Sequence, residues 1–125
     1  KSKGVNGVII GGAAPAKAFQ MTKARPDDRM SGQPLGKIST QLIASFYQEL
    51  GDDIPIVGCG GIMSAEDAFE KICAGAALLQ VYSLLLTDGP FAVQALLQNL
   101  DRLLQEKGFE NISAAVGSGH GGVKA

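Results

Sequence analysis

Charge of one sign is what this sequence most plainly lacks. Lys and Arg total 11 and Asp and Glu total 12, a formal net charge of −1 spread along 125 residues. No basic face is left for a phosphodiester backbone, so nucleic acid is excluded as the expected partner. Long apolar runs are missing too. The longest are strand-length and broken by Gly, Gln or Asp, so none is expected to span a bilayer. Lys1 to Lys3 is not followed by an apolar core long enough for a signal peptide. Cysteine is scarce: Cys59 and Cys73 stand far apart in no CxxC pattern. Two reduced thiols, in a cytosolic or organelle-matrix compartment, are the expected state. His120 is the only histidine. Lodged among Gly119, Gly121 and Gly122, it reads as a tail residue rather than a base or ligand, and no metal site is expected.

What is present suits one well-buried domain at most. Apolar residues make up 46%, mean hydropathy is +0.15, and Gly 17 fits many tight βα turns. The chain is organised around Pro55-Ile56-Val57-Gly58-Cys59-Gly60-Gly61-Ile62-Met63-Ser64, followed by Ala77-Leu78-Leu79-Gln80-Val81-Tyr82-Ser83. Ile54, Ile56 and Val57 fit a parallel strand, which is apolar on both faces. Gly60 and Gly61 then allow a sharp exit turn with close backbone approach. Ser64 is a good N-cap, with Asp67 three residues on as an aspartate variant of the capping box. Free N–H groups at such a turn suit a phosphate. Two readings stand here: a phosphate cradle at the ends of two neighbouring strands, or glycines that only shape the turn. A bulky side chain at Gly61 is expected to abolish ligand binding without unfolding the chain.

In chain order, Gly4 to Ile10 predicts a first strand with Val8 to Ile10 fully buried. It ends at Gly11-Gly12-Ala13-Ala14-Pro15, where a functional loop would begin, yet those residues carry no side-chain donor, acceptor or charge. Pro15 to Gly36 is polar and predicts a partly ordered lid. Ile38, Leu42, Phe46 and Leu50 recur every four residues, with Ile43 and Tyr47 beside them. That predicts an amphipathic helix stopped by Gly51. A helix from about Ala65 to Ala74 turns Ala68, Phe69 and Ile72 inward and ends at Gly75. Ser83 to Leu86 suits a helical turn. Thr87-Asp88-Gly89-Pro90 opens the longest helix, since proline is favoured at its first position. Leu96, Leu100, Leu103 and Leu104 form that helix's stripe, and Gly108 closes it. The tail holds one turn near Ile112 to Val116 and then dissolves into glycines. Such βα alternation demands parallel strands with right-handed crossovers.

Several stretches, taken together, resemble the carboxyl-terminal part of dihydroorotate dehydrogenase, most closely the quinone-dependent, membrane-associated class. They are Met30-Ser31-Gly32-Gln33-Pro34-Leu35, Pro55 to Ile62, Glu70-Lys71-Ile72-Cys73-Ala74-Gly75-Ala76 and Leu79-Gln80-Val81-Tyr82-Ser83. Leu103 to Phe109 and Ala114-Ala115-Val116-Gly117 look like that family's last helix and tail. The resemblance runs from about Gly4 to His120. It implies an α/β fold, the carboxyl-terminal βα units of a TIM (β/α)8 barrel, incomplete in this chain. Residues 1–10 would be a strand, 11–36 a loop or lid, and 37–125 a helix, two βα units and the tail. It implies oxidation of dihydroorotate to orotate in pyrimidine synthesis, with FMN as cofactor and a quinone as acceptor, at a membrane. Gly60 and Gly61 would lie against the FMN phosphate through backbone N–H groups. Tyr82 and Ser83 would close that site, with Val81 packing beside them, and Ser31 and Gly32 would approach the flavin.

Two departures accompany the resemblance. The family carries a Thr/Ser-Asn-Thr-Thr run that holds the substrate, and here Gly11, Gly12, Ala13 and Ala14 stand in its place. Each lost hydrogen-bonding partner of that kind costs roughly 1–3 kcal/mol. A whole barrel takes roughly 250 residues, so no catalytic residue is expected in this segment. The base, further flavin contacts and membrane-binding helices would lie upstream. The chain is therefore expected to fold against a missing barrel half or to self-associate. Two alternatives remain: a non-catalytic half-barrel that binds flavin or phosphate, and another FMN- or phosphate-binding barrel such as a glutamate synthase or inosinate dehydrogenase relative.

Overall fold

The computed structural model describes residues 3–16, 23 and 25–120. A sheet of three strands is built from β1 (Val8–Ile10), β4 (Ile56–Cys59) and β5 (Ala76–Gln80), in that order and all parallel. Between the first two comes a small antiparallel ribbon of β2 (Ala14–Pro15) and β3 (Arg29–Met30). The expected lid is thus partly a paired ribbon, closed further by Ala16 N–H on the Asp28 carbonyl at 2.9 Å. Residues 17–22 and 24 of that stretch lie outside the described residues.

The helices cover one face of the sheet. They are α1 (Gly36–Leu50), α2 (Ala65–Ala74), α3 (Ser83–Asp88), α4 (Ala92–Glu106) and α5 (Ile112–Ala115). Ile10, Ile43, Tyr47, Ile56, Ala74 and Ala76 form one core between sheet and α1. Ile62, Ala68, Ile72, Leu96, Leu100 and Leu104 anchor another between α2 and α4. Gly58 sits inside β4 because a Cβ there would press on Ile43 Cδ1 at 2.9 Å and Ala76 Cβ at 3.0 Å. The other face is bare. Ile9, Val57 and Leu78 share one row across the strands, and Ile9 and Leu78 remain 67% and 63% exposed. The first strand is therefore not fully buried as its composition predicts: only Ile10 is.

The face of α1 also differs from the one its apolar spacing selects. Ile38, Leu42 and Phe46 lie exposed, while Ser39, Ile43 and Tyr47 are buried. Ser39 and Tyr47 can go inward because the fold supplies hydrogen-bond partners there, which burial of a polar group requires. Tyr47 donates to Asp52 Oδ1 at 2.7 Å, and its ring lies 5.1 Å from that of His120. Gly75 and Gly117 flank that ring, where a Cβ on either would overlap it. His120 is more than a loose tail residue: its Nε2 donates to the Ala74 carbonyl at 2.7 Å.

The start of α2 follows its capping signal. Ser64 Oγ accepts from Asp67 N–H at 3.1 Å, and Asp67 accepts from Met63 N–H at 3.0 Å. Helix α4 begins at Ala92, two residues beyond Pro90. Gly89 is spent closing α3, with its N–H on the Leu85 carbonyl at 3.1 Å, so Pro90 falls in the link between helices. Cys59 and Cys73 are unpaired. Among the described residues, no helix is long and apolar enough to cross a membrane.

Candidate functional site

Loops leaving the carboxyl ends of β1, β4 and β5 converge on a cavity of about 240 Å³. Gly12 and Ala13 reach it from β1, Cys59 to Ile62 from β4, and Gln80 to Ser83 from β5. Ser31, Gly32 and Leu35 enter from the segment that precedes α1. The sequence-predicted positions Ser31, Gly32, Gly60, Gly61, Val81, Tyr82 and Ser83 are all brought together there. Of the predicted loop, Gly12 and Ala13 line the cavity, whereas Gly11 and Ala14 do not. Leu35, Cys59, Ile62 and Gln80 were not singled out by sequence reasoning. Strand alternation could have pointed to Gln80, which ends β5 beside Cys59 in register.

The chemistry of the lining is selective. Among the described residues, no Asp, Glu, Lys or Arg lines the cavity, and Ser31, Tyr82 and Ser83 supply hydroxyls. A larger groove of about 630 Å³, between the start of α2 and α4, carries Glu66, Asp88 and Glu106 with Arg102. Like-charge repulsion disfavours a phosphate dianion beside those carboxylates, so the smaller cavity is the better anion site. Its floor is glycine backbone. Gly60 and Gly61 hold φ of 91° and 73°, and a Cβ on Gly61 would overlap Gly36 N and Cα at the start of α1. A Cβ on Gly60 would press on Gly12 N at 3.0 Å. Backbone can therefore approach a ligand here where side chains would intervene. That arrangement fits a phosphate and the adjoining part of a nucleotide-sized cofactor.

Behind the turn lies a buried cation. Lys71 is 0% exposed; its Nζ donates to the Gly36 carbonyl at 3.1 Å, to Thr40 Oγ1 at 2.9 Å and to Ser39 Oγ. Ser39 in turn donates to the Gly60 carbonyl at 2.9 Å. Burial pushes the Lys71 pKa below the ordinary lysine value, opposed by the nearby carboxylates of Asp67 and Glu70. Between that lowered pKa and the ordinary one, the unfolded chain binds more protons than the folded chain, so stability rises with pH in that window. Wild type is expected to gain in melting temperature relative to Lys71→Met as pH rises from neutrality towards the ordinary lysine value. Parallel melting curves would overturn this.

A family model described as dihydroorotate dehydrogenase matches residues 3–104. The chain belongs to the dihydroorotate dehydrogenase family. Its sequence is 38% identical over 126 residues to dihydroorotate dehydrogenase (quinone) of Synechocystis, covering 94% of this chain and 33% of that protein. It is 48% identical over 88 residues to the Trichodesmium erythraeum protein of the same name, covering 70% of this chain and 23% of the relative. The mouse dihydroorotate dehydrogenase (quinone), mitochondrial, is 38% identical over 119 residues, covering 94% of this chain and 30% of the relative. In structure the chain is similar to DHODH of Eimeria tenella in complex with ferulenol. The TM-score is 0.84 at 26% identity, with 95% of this chain and 32% of that chain covered. The chain spans about a third or less of the length of these relatives. Its sheet and helices are accordingly part of a (β/α)8 barrel, not a closed one. The dihydroorotate dehydrogenase family is flavin-dependent, and membership removes the glutamate synthase and inosinate dehydrogenase alternative.

Proposed function

We propose that this chain forms the carboxyl-terminal βα units of a quinone-type dihydroorotate dehydrogenase and supplies its FMN phosphate site. The observation that carries the reading is the cavity at the strand ends, floored by Gly60 and Gly61 and rimmed by the hydroxyls of Ser31, Tyr82 and Ser83. Backbone N–H groups of Gly60 and Gly61 hold the phosphate, in keeping with anion binding by glycine turns. Tyr82 and Ser83 close the site from β5, Val81 packs beside them, and Ser31 and Gly32 approach the flavin. Bound there, the flavin would supply the redox chemistry, as hydride acceptor from dihydroorotate and electron donor to a quinone. This chain's part is to bind and orient; the proton is taken from dihydroorotate by a base in the missing part of the barrel. Attachment to a membrane follows the quinone class, and the mouse relative is named mitochondrial.

One observation favours a second reading, a flavin- or phosphate-binding half-barrel without turnover. Gly11, Gly12, Ala13 and Ala14 offer no side-chain hydrogen bond at the positions that hold substrate in the family. At Gly11 a Cβ would overlap the Cys59 carbonyl, so no side chain fits that backbone. The test is flavin absorbance, then dye-linked turnover with dihydroorotate, in the 125 residues alone and in the longest natural chain containing them. The short chain is expected to show no turnover, and turnover well above a blank would overturn its incompleteness. A longer chain devoid of flavin would overturn the phosphate site. Flavin without turnover in the longer chain would select the second reading.

A further inference from the structure

We propose that Lys71 is a positioning residue for the phosphate end of the cavity, acting through Ser39 on the Gly60–Gly61 peptide. The proposal rests on the reading that a phosphate lies at that turn. Lys71 never touches the cavity: neither it nor Ser39 is among the lining residues, and both are buried. Its role follows from how the hydrogens must be ordered. An ammonium has three N–H donors and no acceptor. The three acceptors around it are the Gly36 carbonyl, Thr40 Oγ1 and Ser39 Oγ. Ser39 cannot donate to a group that only donates, so its single hydrogen must go to a carbonyl. Two are in reach: Gly60 at 2.9 Å and Gly36 at 3.4 Å. The Gly36 carbonyl already receives Lys71 and, at 2.8 Å, Thr40 Oγ1. The hydrogen of Ser39 is thereby committed to Gly60.

That commitment orients the turn. The Gly60–Gly61 peptide is trans, so its carbonyl and its N–H point in opposite directions. A carbonyl held back towards Ser39 turns the Gly61 N–H the other way, towards the cavity that both glycines line. A second contact supports the same geometry. Gly61 rests directly on the Gly36 backbone, whose carbonyl Lys71 also holds. Without the ammonium, Ser39 is free to rotate, and only the packing of Gly61 on Gly36 then restrains the peptide plane of a turn made of two glycines.

The test compares FMN with riboflavin, which lacks only the phosphate, by equilibrium binding to the longest natural chain containing these residues. In Lys71→Met and in Ser39→Ala, FMN affinity is expected to fall about tenfold, the scale of one charge-assisted hydrogen bond, while riboflavin affinity holds. The double variant should lose no more than either single one, since both break the same chain of contacts. Thr40→Val, which removes the other hydroxyl on Lys71, should leave the ratio of the two affinities unchanged. Equal losses for FMN and riboflavin would make Lys71 a purely structural clamp and overturn the proposal. So would an unchanged ratio in Ser39→Ala, which removes one hydroxyl and carries the test even if Lys71→Met fails to fold. If the unaltered protein binds FMN no tighter than riboflavin, the phosphate reading itself falls, and that result is distinct from the other two.

Discussion

Expressed as these 125 residues alone, the chain is expected to scatter light as a self-associated species and to melt without a sharp cooperative transition. The row Ile9, Val57, Leu78 faces the side of the sheet that carries no helix, and Ile38, Leu42 and Phe46 stand out from α1. In a closed barrel, strand side chains of that row interlock in layers with those of the other strands. β1 and β5 are both edges here, and open edges recruit other chains. Burying one such side chain is worth roughly 1.5–3 kcal/mol. Leaving several exposed removes much of the ~5–15 kcal/mol that sustains an ordinary domain. A monodisperse monomer with cooperative melting would mean the bare face has found another cover, and would overturn the half-barrel account.

The exposed α1 stripe shows how far the sequence could be read. Spacing correctly predicted a helix there, because a period near four is visible in Ile38, Leu42, Phe46 and Leu50. It set the stripe to one side of the face turned to the sheet, because apolar periodicity weighs transfer out of water and is blind to hydrogen bonds. On that face Ile43 and Tyr47, named beside the stripe, are buried together with Ser39. The inward face carries Ser39, whose burial is made possible by Lys71 from another element, 32 residues away. Lys71 itself sits in an ordinary helical run and reads as a solvated lysine. Ser64 with Asp67 and the stop at Gly75 were legible because their partners lie within a few residues. The cavity was legible in part. Glycines and hydroxyls at strand ends announce themselves, whereas Leu35 and Cys59 take part only through the way three loops meet.

Replacing Gly61 by alanine is expected to cost both the site and the fold. The sequence alone suggests a side chain there would act on the ligand only, leaving the chain folded. The structure contradicts that, because a Cβ would overlap backbone at the start of α1, and the residue holds φ of 73°. Overpacking and left-handed strain each cost roughly 1–3 kcal/mol. The clash is with main chain, which cannot rotate away as a flexible side chain would. In the longest natural chain, Gly61→Ala should lower the denaturant midpoint and release flavin on gel filtration. An unchanged midpoint with flavin retained would show that the turn has slack and that the packing of Gly61 on Gly36 does not hold the site. Gly12→Ala provides the contrast. It meets no protein atom within 4 Å, so a fall in its denaturant midpoint must come from its own backbone conformation.

The seating of His120 on the Ala74 carbonyl has a consequence for how the chain comes off the ribosome. The two groups are 46 residues apart, and Gly117 N–H meets the Ile72 carbonyl at 3.0 Å across a similar separation. At a translation rate of about 5–20 residues per second, the end of α2 waits roughly 2–9 seconds for its partners to be made. Throughout that interval Tyr47 has one glycine wall, Gly75, without the second, Gly117. The nascent chain therefore displays a half-finished pocket for an aromatic ring, and it is closed only when the last turn arrives.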